Sequence, residues 1–228
     1  MICSKKTIFA RNIDLFIKMN QTDNPWLTIK LSDYENHMSD NGVKQAQLLD
    51  HFMAKQLSLS PTVCILGIAG GNGLGNVNPT FDTEVYGIDI NPSYLSESSK
   101  RYPDLNNIYR TICTDINESV KDLPNAEMVI ANLFIEYVGY DNFCSAIKSI
   151  HPKIVSCVIQ RDPADSFVSE TPYAARLVML DSVHSSIDRD ILIANLGNIG
   201  YMLQDEEIEL LSNKKELIML TFINADTY

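Results

Sequence analysis

Val63-Cys64-Ile65-Leu66-Gly67-Ile68-Ala69-Gly70-Gly71-Asn72-Gly73 decides how this chain is read. An apolar, β-branched run passes directly into a glycine cluster, the pattern of a strand whose carboxyl end must admit a ligand closely. Glycine takes positive φ without steric cost and has no Cβ to collide with a bound molecule. The helix that follows such a turn offers unpaired N–H groups at its start. A second apolar run, Val85-Tyr86-Gly87-Ile88, ends in Asp89-Ile90-Asn91. Asp89 stands 22 residues after Gly67, the separation at which a carboxylate beside the same crevice reaches a ribose hydroxyl. The two strand ends together describe a nucleoside site.

Outward from this stretch, strand and helix patterns alternate, as in a parallel sheet covered on both faces. Strands are expected over 63–68, 85–89, 108–112, 127–131 and 153–159. Helices are expected near 92–101, 117–122, 140–150 and 187–198, with Asn91-Pro92 and Asp141 as starts. After Gly200 two further runs, 201–209 and 216–223, are separated by Leu211-Ser212-Asn213-Lys214-Lys215. So short a connection leaves no room for a crossover helix and forces an antiparallel pair. Before residue 61, apolar spacing indicates helices over 6–20 and 40–59 with an irregular stretch at 26–31. Residues 1–60 therefore read as a helical N-terminal extension, and 61–228 as the ligand-binding domain.

The 228 residues include 45% hydrophobic side chains and carry a net charge of −11. That length supports one α/β domain with a substantial core. The acidic balance leaves no broad cationic surface for a phosphate backbone, so a nucleic-acid partner is not expected. Cys3, Cys64, Cys113, Cys144 and Cys157 form no CxxC pair and no metal-ligand spacing, and no metal is expected. With no apolar run of membrane-spanning length and no export signal, the reading is a cytoplasmic protein without a membrane partner, monomeric or homodimeric.

The glycine cluster, the acid after the second strand and the closing antiparallel pair together resemble the class I S-adenosylmethionine (SAM) methyltransferase superfamily. The resemblance runs from about residue 61 to 223. Gly67 stands where that family has an acidic residue, and Ala69 where it has the first motif glycine. The implied fold is α/β and Rossmann-like: a seven-stranded, mostly parallel sheet with an antiparallel C-terminal strand. The implied cofactor is SAM, leaving as S-adenosylhomocysteine (SAH). Family positions carried onto this chain put Gly67, Ala69, Gly70, Gly71 and Gly73 beneath the methionine and ribose. Asp89 would take the ribose hydroxyls and Ile90 would pack on adenine. Asp115, next to Ile116, would take the adenine amino group, and Asn132 and Leu133 would form the wall toward the methyl acceptor. Ile135-Glu136-Tyr137 resembles the leucine–glutamate–histidine sequence of small-molecule members. The stretch Asp33-Tyr34-Glu35-Asn36-His37-Met38 resembles a bacterial group with a DYExHM-type segment. The family resemblance also implies that the extension over 1–60 is a lid over the site.

Methyl transfer from a sulfonium is an in-line displacement that needs alignment, exclusion of water and, for some acceptors, removal of a proton. Tyr34 and His37, three residues apart, can share one helical face toward the acceptor; His37, Tyr34, Glu136 and Tyr137 are the candidates for a catalytic role. Trp26, Tyr34 and Tyr137 are the candidates for contact with a small-molecule acceptor. His184 and Arg161, beyond the fifth strand, are further acceptor-side candidates. Two alternatives stand beside the enzyme: a SAM-binding sensor or non-catalytic subunit, motivated by the missing acid at position 67, and a nicotinamide-dependent oxidoreductase. The irregular glycine spacing and the terminal antiparallel pair count against the last.

Overall fold

The computed structural model describes residues 24–40, 42–162 and 168–227; the helix expected over 6–20 lies outside them. Among the described residues, seven strands form one sheet in the order β3-β2-β1-β4-β5-β7-β6. They are β1 (Thr62–Leu66), β2 (Glu84–Asp89), β3 (Tyr109–Cys113), β4 (Met128–Asn132), β5 (Ile154–Arg161), β6 (Tyr201–Leu210) and β7 (Glu216–Asn224). Strands β1 to β5 pair in parallel, while β7 runs antiparallel to both β5 and β6. The short 211–215 connection therefore does impose the antiparallel pair expected of it.

Alternation along the central strands divides the core into two halves. Cys64, Leu66, Val129 and Ala131 face Phe143 and Ile147 of α4 (Ile135–Ile150) and Leu192 and Leu196 of α6 (Arg189–Asn198). Val63, Ile65, Met128 and Ile130 face Met53 and Leu57 of α2 (Gln45–Leu57) and Leu95 of α3 (Pro92–Arg101). With helices on both sides, these strands read as continuous apolar runs. Cys64 and Cys157 are fully buried within them and behave as small hydrophobes. Strand β6 forms an edge of the sheet and carries Asp205, Glu206, Glu207 and Glu209 along it, with a register shift between Leu203 and Asp205. Charge and bulge both discourage pairing with another chain.

Helix α3 starts where the sequence indicates. Asn91 Oδ1 accepts from Ser93 N–H at 2.9 Å and Tyr94 N–H at 3.4 Å, with Pro92 at the first helical position. Three expectations need correction. Residues 117–122 form turns instead of a helix, because the Asp115 carboxylate takes the Asn117 N–H in a local turn. The helix expected over 40–59 is shorter, beginning at Gln45 after Lys44 enters the left-handed region at φ 55°. The helix expected over 140–150 extends back to Ile135, interrupted at Gly139 with φ 73° and ψ 172°. The segment before α2, read only as irregular over 26–31, is a single 3-10 turn at Pro25–Leu27 followed by α1 (Leu31–Ser39).

Candidate active site

The chain leaves β1 toward β2 and β3 on one side, then crosses to β4 on the other. The crevice between the carboxyl ends of β1 and β4 is thus the topological switch point, where ligands bind in open α/β sheets. Gly67 turns out of β1 at φ +73°, and a Cβ there would lie 2.6 Å from the Phe134 ring beyond β4. The side chain of Phe134 thus occupies the place an acidic residue at 67 would need.

Segment 26–39 roofs the crevice and is tied mainly to α3. Asn91 Nδ2 donates to Trp26 O at 2.8 Å, and Tyr94 Oη donates to Ile29 O at 2.7 Å. Arg101 grips Glu35 through both guanidinium nitrogens, at 2.5 and 3.0 Å. Arg176 of α5 (Ala174–Leu177) pairs with Asp33 from the other side.

Three cavities open beneath this roof. The first, about 680 Å³, is lined by Gly67, Ala69, Asp89, Ile90, Asp115 and Ile116 at the ends of β1 to β3, and by Asn132 and Leu133 after β4. The Asp89 carboxylate accepts from Ala69 N–H at 2.9 Å and from Asn91 N–H at 2.8 Å, so its orientation is fixed. Burial pushes its pKa up to about 6 against the pull of those backbone donors. The second cavity, about 530 Å³, lies between α1, the start of α4 and the segment after β5, and includes His37, Glu136, Tyr137, Gln160 and His184. The third, about 830 Å³, lies between α1, α2 and the glycine turn, and includes Asp50, Asn72 and Gly73.

Tyr34 lines all three cavities. Around it, Trp26 meets Tyr34 edge-on at 5.4 Å between centroids and Tyr137 at 4.9 Å. Tyr137 meets His184 at 5.7 Å. The shared wall of the first two cavities is thus largely aromatic, made of Trp26, Tyr34 and Tyr137 with Leu133. Burial raises both tyrosine pKa values, so their hydroxyls stay protonated.

Glu136 is buried on the wall of the second cavity. Its Oε1 accepts from Gln160 N–H at 3.1 Å, while Oε2 has no hydrogen-bond partner among the described residues. Burial, reinforced by the nearby Asp162 charge, pushes its pKa up to about 7. His37 and His184 are both held below the usual histidine value by burial, and His37 Nδ1 lies 2.8 Å from Thr171 Oγ1. A polar chain lies behind: Gln45 donates to Gln160 at 2.7 Å, Gln160 to Asp162 at 2.7 Å, and Asp162 pairs with Lys215 at 3.1 Å.

Sequence-expected residues are therefore brought together in part. Tyr34 and His37 share a face of α1, and His184 joins them, but Arg161 pairs with Glu216 and lines none of the three cavities. Gly70 and Gly71 line no cavity either: a Cβ on Gly70 would meet Leu31, Glu35 and Arg101, and one on Gly71 would meet Tyr102. These two glycines admit the roof and α3 close to the turn, while Gly73 borders the third cavity. Tyr94, Phe134, Asp50 and Gln160 were not legible from sequence, since each acts through an approach between distant segments.

No family model matches the chain, and no curated protein matches it. Solved structures do. Magnesium protoporphyrin IX methyltransferase (ChlM) from Synechocystis PCC 6803 with bound SAM is 11% identical over 89% of this chain and 95% of its own, with TM-score 0.64. N-methyltransferase NodS from Bradyrhizobium japonicum WM9, in complex with SAH, is 12% identical over 82% and 90%, with TM-score 0.58. The cyclase SpnF is 12% identical over 79% and 82%, with TM-score 0.61. The fold is therefore that of the class I SAM-dependent methyltransferases.

Proposed function

We propose that this chain is a SAM-dependent methyltransferase acting on a small molecule. The observation that carries this reading is the meeting of three cavities at Tyr34. A sulfonium has three substituents, and a methyltransferase must house the nucleoside and the amino-acid arm apart while pointing the third at an acceptor. The first cavity suits the nucleoside: Asp89 retains lone pairs beyond its two backbone bonds for ribose hydroxyls, and Asp115 and Ile116 border the far end. The third cavity suits the amino-acid arm. Asp50 is its only carboxylate among the described residues, and it would meet the ammonium that the family's acid at position 67 meets elsewhere. The second cavity suits the acceptor.

When bound, SAM supplies an activated methyl group with a neutral thioether as leaving group. The chain's own part is alignment and desolvation. Trp26, Tyr34 and Tyr137 present neutral aromatic surface to a positive centre, which attracts a cation without competing as a nucleophile. The roof excludes water, and no dedicated nucleophile is needed.

Fold neighbours holding SAM or SAH support the cofactor assignment, and their small-molecule members support the acceptor class. Isothermal titration with SAH and SAM tests it: one-to-one binding is expected, and no binding to folded protein overturns it. Binding of SAM with no methyl transfer to any of a broad set of amines, thiols, phenols and carboxylates would favour a sensor or non-catalytic subunit.

A further inference from the structure

We propose that the second cavity takes a small primary or secondary amine on an apolar or aromatic body, gripped and deprotonated through Glu136 Oε2. The inference rests on the methyltransferase reading and names its acceptor class.

Charge complementarity carries the argument. A buried carboxylate oxygen without a partner is costly, and a native fold tolerates one where a ligand supplies the missing donor. Glu136 reaches the cavity from the first turn of α4, held by Gln160 N–H at 3.1 Å through Oε1, which leaves Oε2 for something else. Among the described residues no cation pairs with it: the neighbouring Lys215 is matched to Asp162 at 3.1 Å. His37 and His184 face the same space and are kept neutral by burial. Among the described residues Glu136 is thus the cavity's one carboxylate and faces no cation, enclosed by the faces and edges of Trp26, Tyr34 and Tyr137. An anion would be repelled there, and a neutral ether or thioether would leave Oε2 unsatisfied. An ammonium satisfies the oxygen and gains the aromatic surfaces.

Tyr34, Tyr137, Trp26 and Leu133 are common to this cavity and the nucleoside cavity, so a nitrogen beside Glu136 approaches the wall through which the methyl must come. One N–H proton passes to Glu136 Oε2, giving the neutral acid and freeing the nitrogen lone pair. The nitrogen then bonds the methyl carbon as the carbon–sulfur bond breaks, its electron pair remaining on sulfur. The products are a methylated ammonium and a thioether.

Calorimetric titration of wild type and Glu136→Gln tests this, each with and without saturating SAH. The probes are phenethylamine, tryptamine and histamine, paired with phenylacetate, indoleacetate and imidazoleacetate. Glu136→Gln keeps an oxygen for Gln160 N–H and removes the charge. At least one amine is expected to bind wild type about tenfold or more tighter than its carboxylate counterpart, and that preference is expected to vanish in the variant, a factor corresponding to about 1.4 kcal/mol. Absence of amine binding, equal or tighter carboxylate binding, or an unchanged preference in Glu136→Gln overturns the proposal. Should the variant not fold, wild type decides alone. Amine affinity is expected to fall as pH drops from about 8 to about 6, as Glu136 takes up a proton and the two histidines begin to; a flat profile overturns it. SAH binding is read in the same experiment, so failure of the cofactor assignment is seen separately from failure of the amine assignment.

Discussion

The side-chain amides of Gln56 and Asn132 face one another, with Gln56 Nε2 2.9 Å from Asn132 Oδ1 and Asn132 Nδ2 2.8 Å from Gln56 Oε1. Gln56 Nε2 also donates to Ser156 Oγ at 3.0 Å. This pair of buried Gln56 and half-buried Asn132 joins α2 to the carboxyl end of β4, and so fixes one wall of the crevice. Replacing Gln56 by leucine strands the Asn132 amide and leaves the Ser156 hydroxyl with Thr221 Oγ1 at 3.1 Å. Unfolding free energy is expected to fall by about 2 kcal/mol, from the desolvation penalty of unpaired buried groups, as measured by urea denaturation.

Gly67→Ala tests the turn out of β1. The backbone there sits at φ +73°, and the new methyl would lie 2.6 Å from the Phe134 ring. Left-handed strain and overlap together are expected to cost about 2 to 4 kcal/mol. SAH affinity should fall as well, because Phe134 must move and it lines the first cavity.

Asp89→Ala and Asp50→Ala test the two arms of the proposed cofactor site separately. Each removes a carboxylate from one cavity and is expected to weaken SAH binding by about tenfold or more, roughly one charge-assisted hydrogen bond. Adenosine, which lacks the amino-acid arm, distinguishes them by titration. Its affinity should drop in Asp89→Ala and stay unchanged in Asp50→Ala.

Glu136→Gln is expected to raise stability at alkaline pH. The folded-state pKa of Glu136 is pushed from 4.5 up to about 7, so the native state binds more protons than the unfolded chain between those values. Its contribution is then fully present below about pH 4.5 and lost as pH rises through about 7. The variant has no such dependence. Thermal melts should show its advantage over wild type absent at pH 4.5 and growing to a plateau near pH 8. A constant difference across that range would contradict the carboxylate's buried, uncompensated state.

Local pattern made the sheet legible. The apolar runs at 63–66, 85–88 and 128–131 can only be strands between helical layers, and Asn91-Pro92 marks a helix start by chemistry that does not depend on the rest of the fold. The segment 117–122 misled because its spacing is helical, yet Asp115 captures the local N–H first. The glycine cluster was legible as a turn but not in its division of labour. Gly67 makes room for Phe134, Gly70 for the roof and Gly71 for Tyr102, contacts between residues far apart in sequence. The unpartnered oxygen of Glu136 was equally hidden, since it depends on which groups from α1, β5 and the 177–184 segment happen to surround it.

Helix α3 begins three residues after Asp89, and with its N-cap Asn91 it also holds the ties to Trp26, Ile29 and Glu35. Occupancy of the first cavity and clamping of segment 26–35 are thereby expected to be energetically linked. Reciprocity then applies: the factor by which one favours the other is the same in both directions. An acceptor pressing upward on Trp26 and Tyr34 would feel that linkage too, so the two substrates are expected to load with synergy instead of independently.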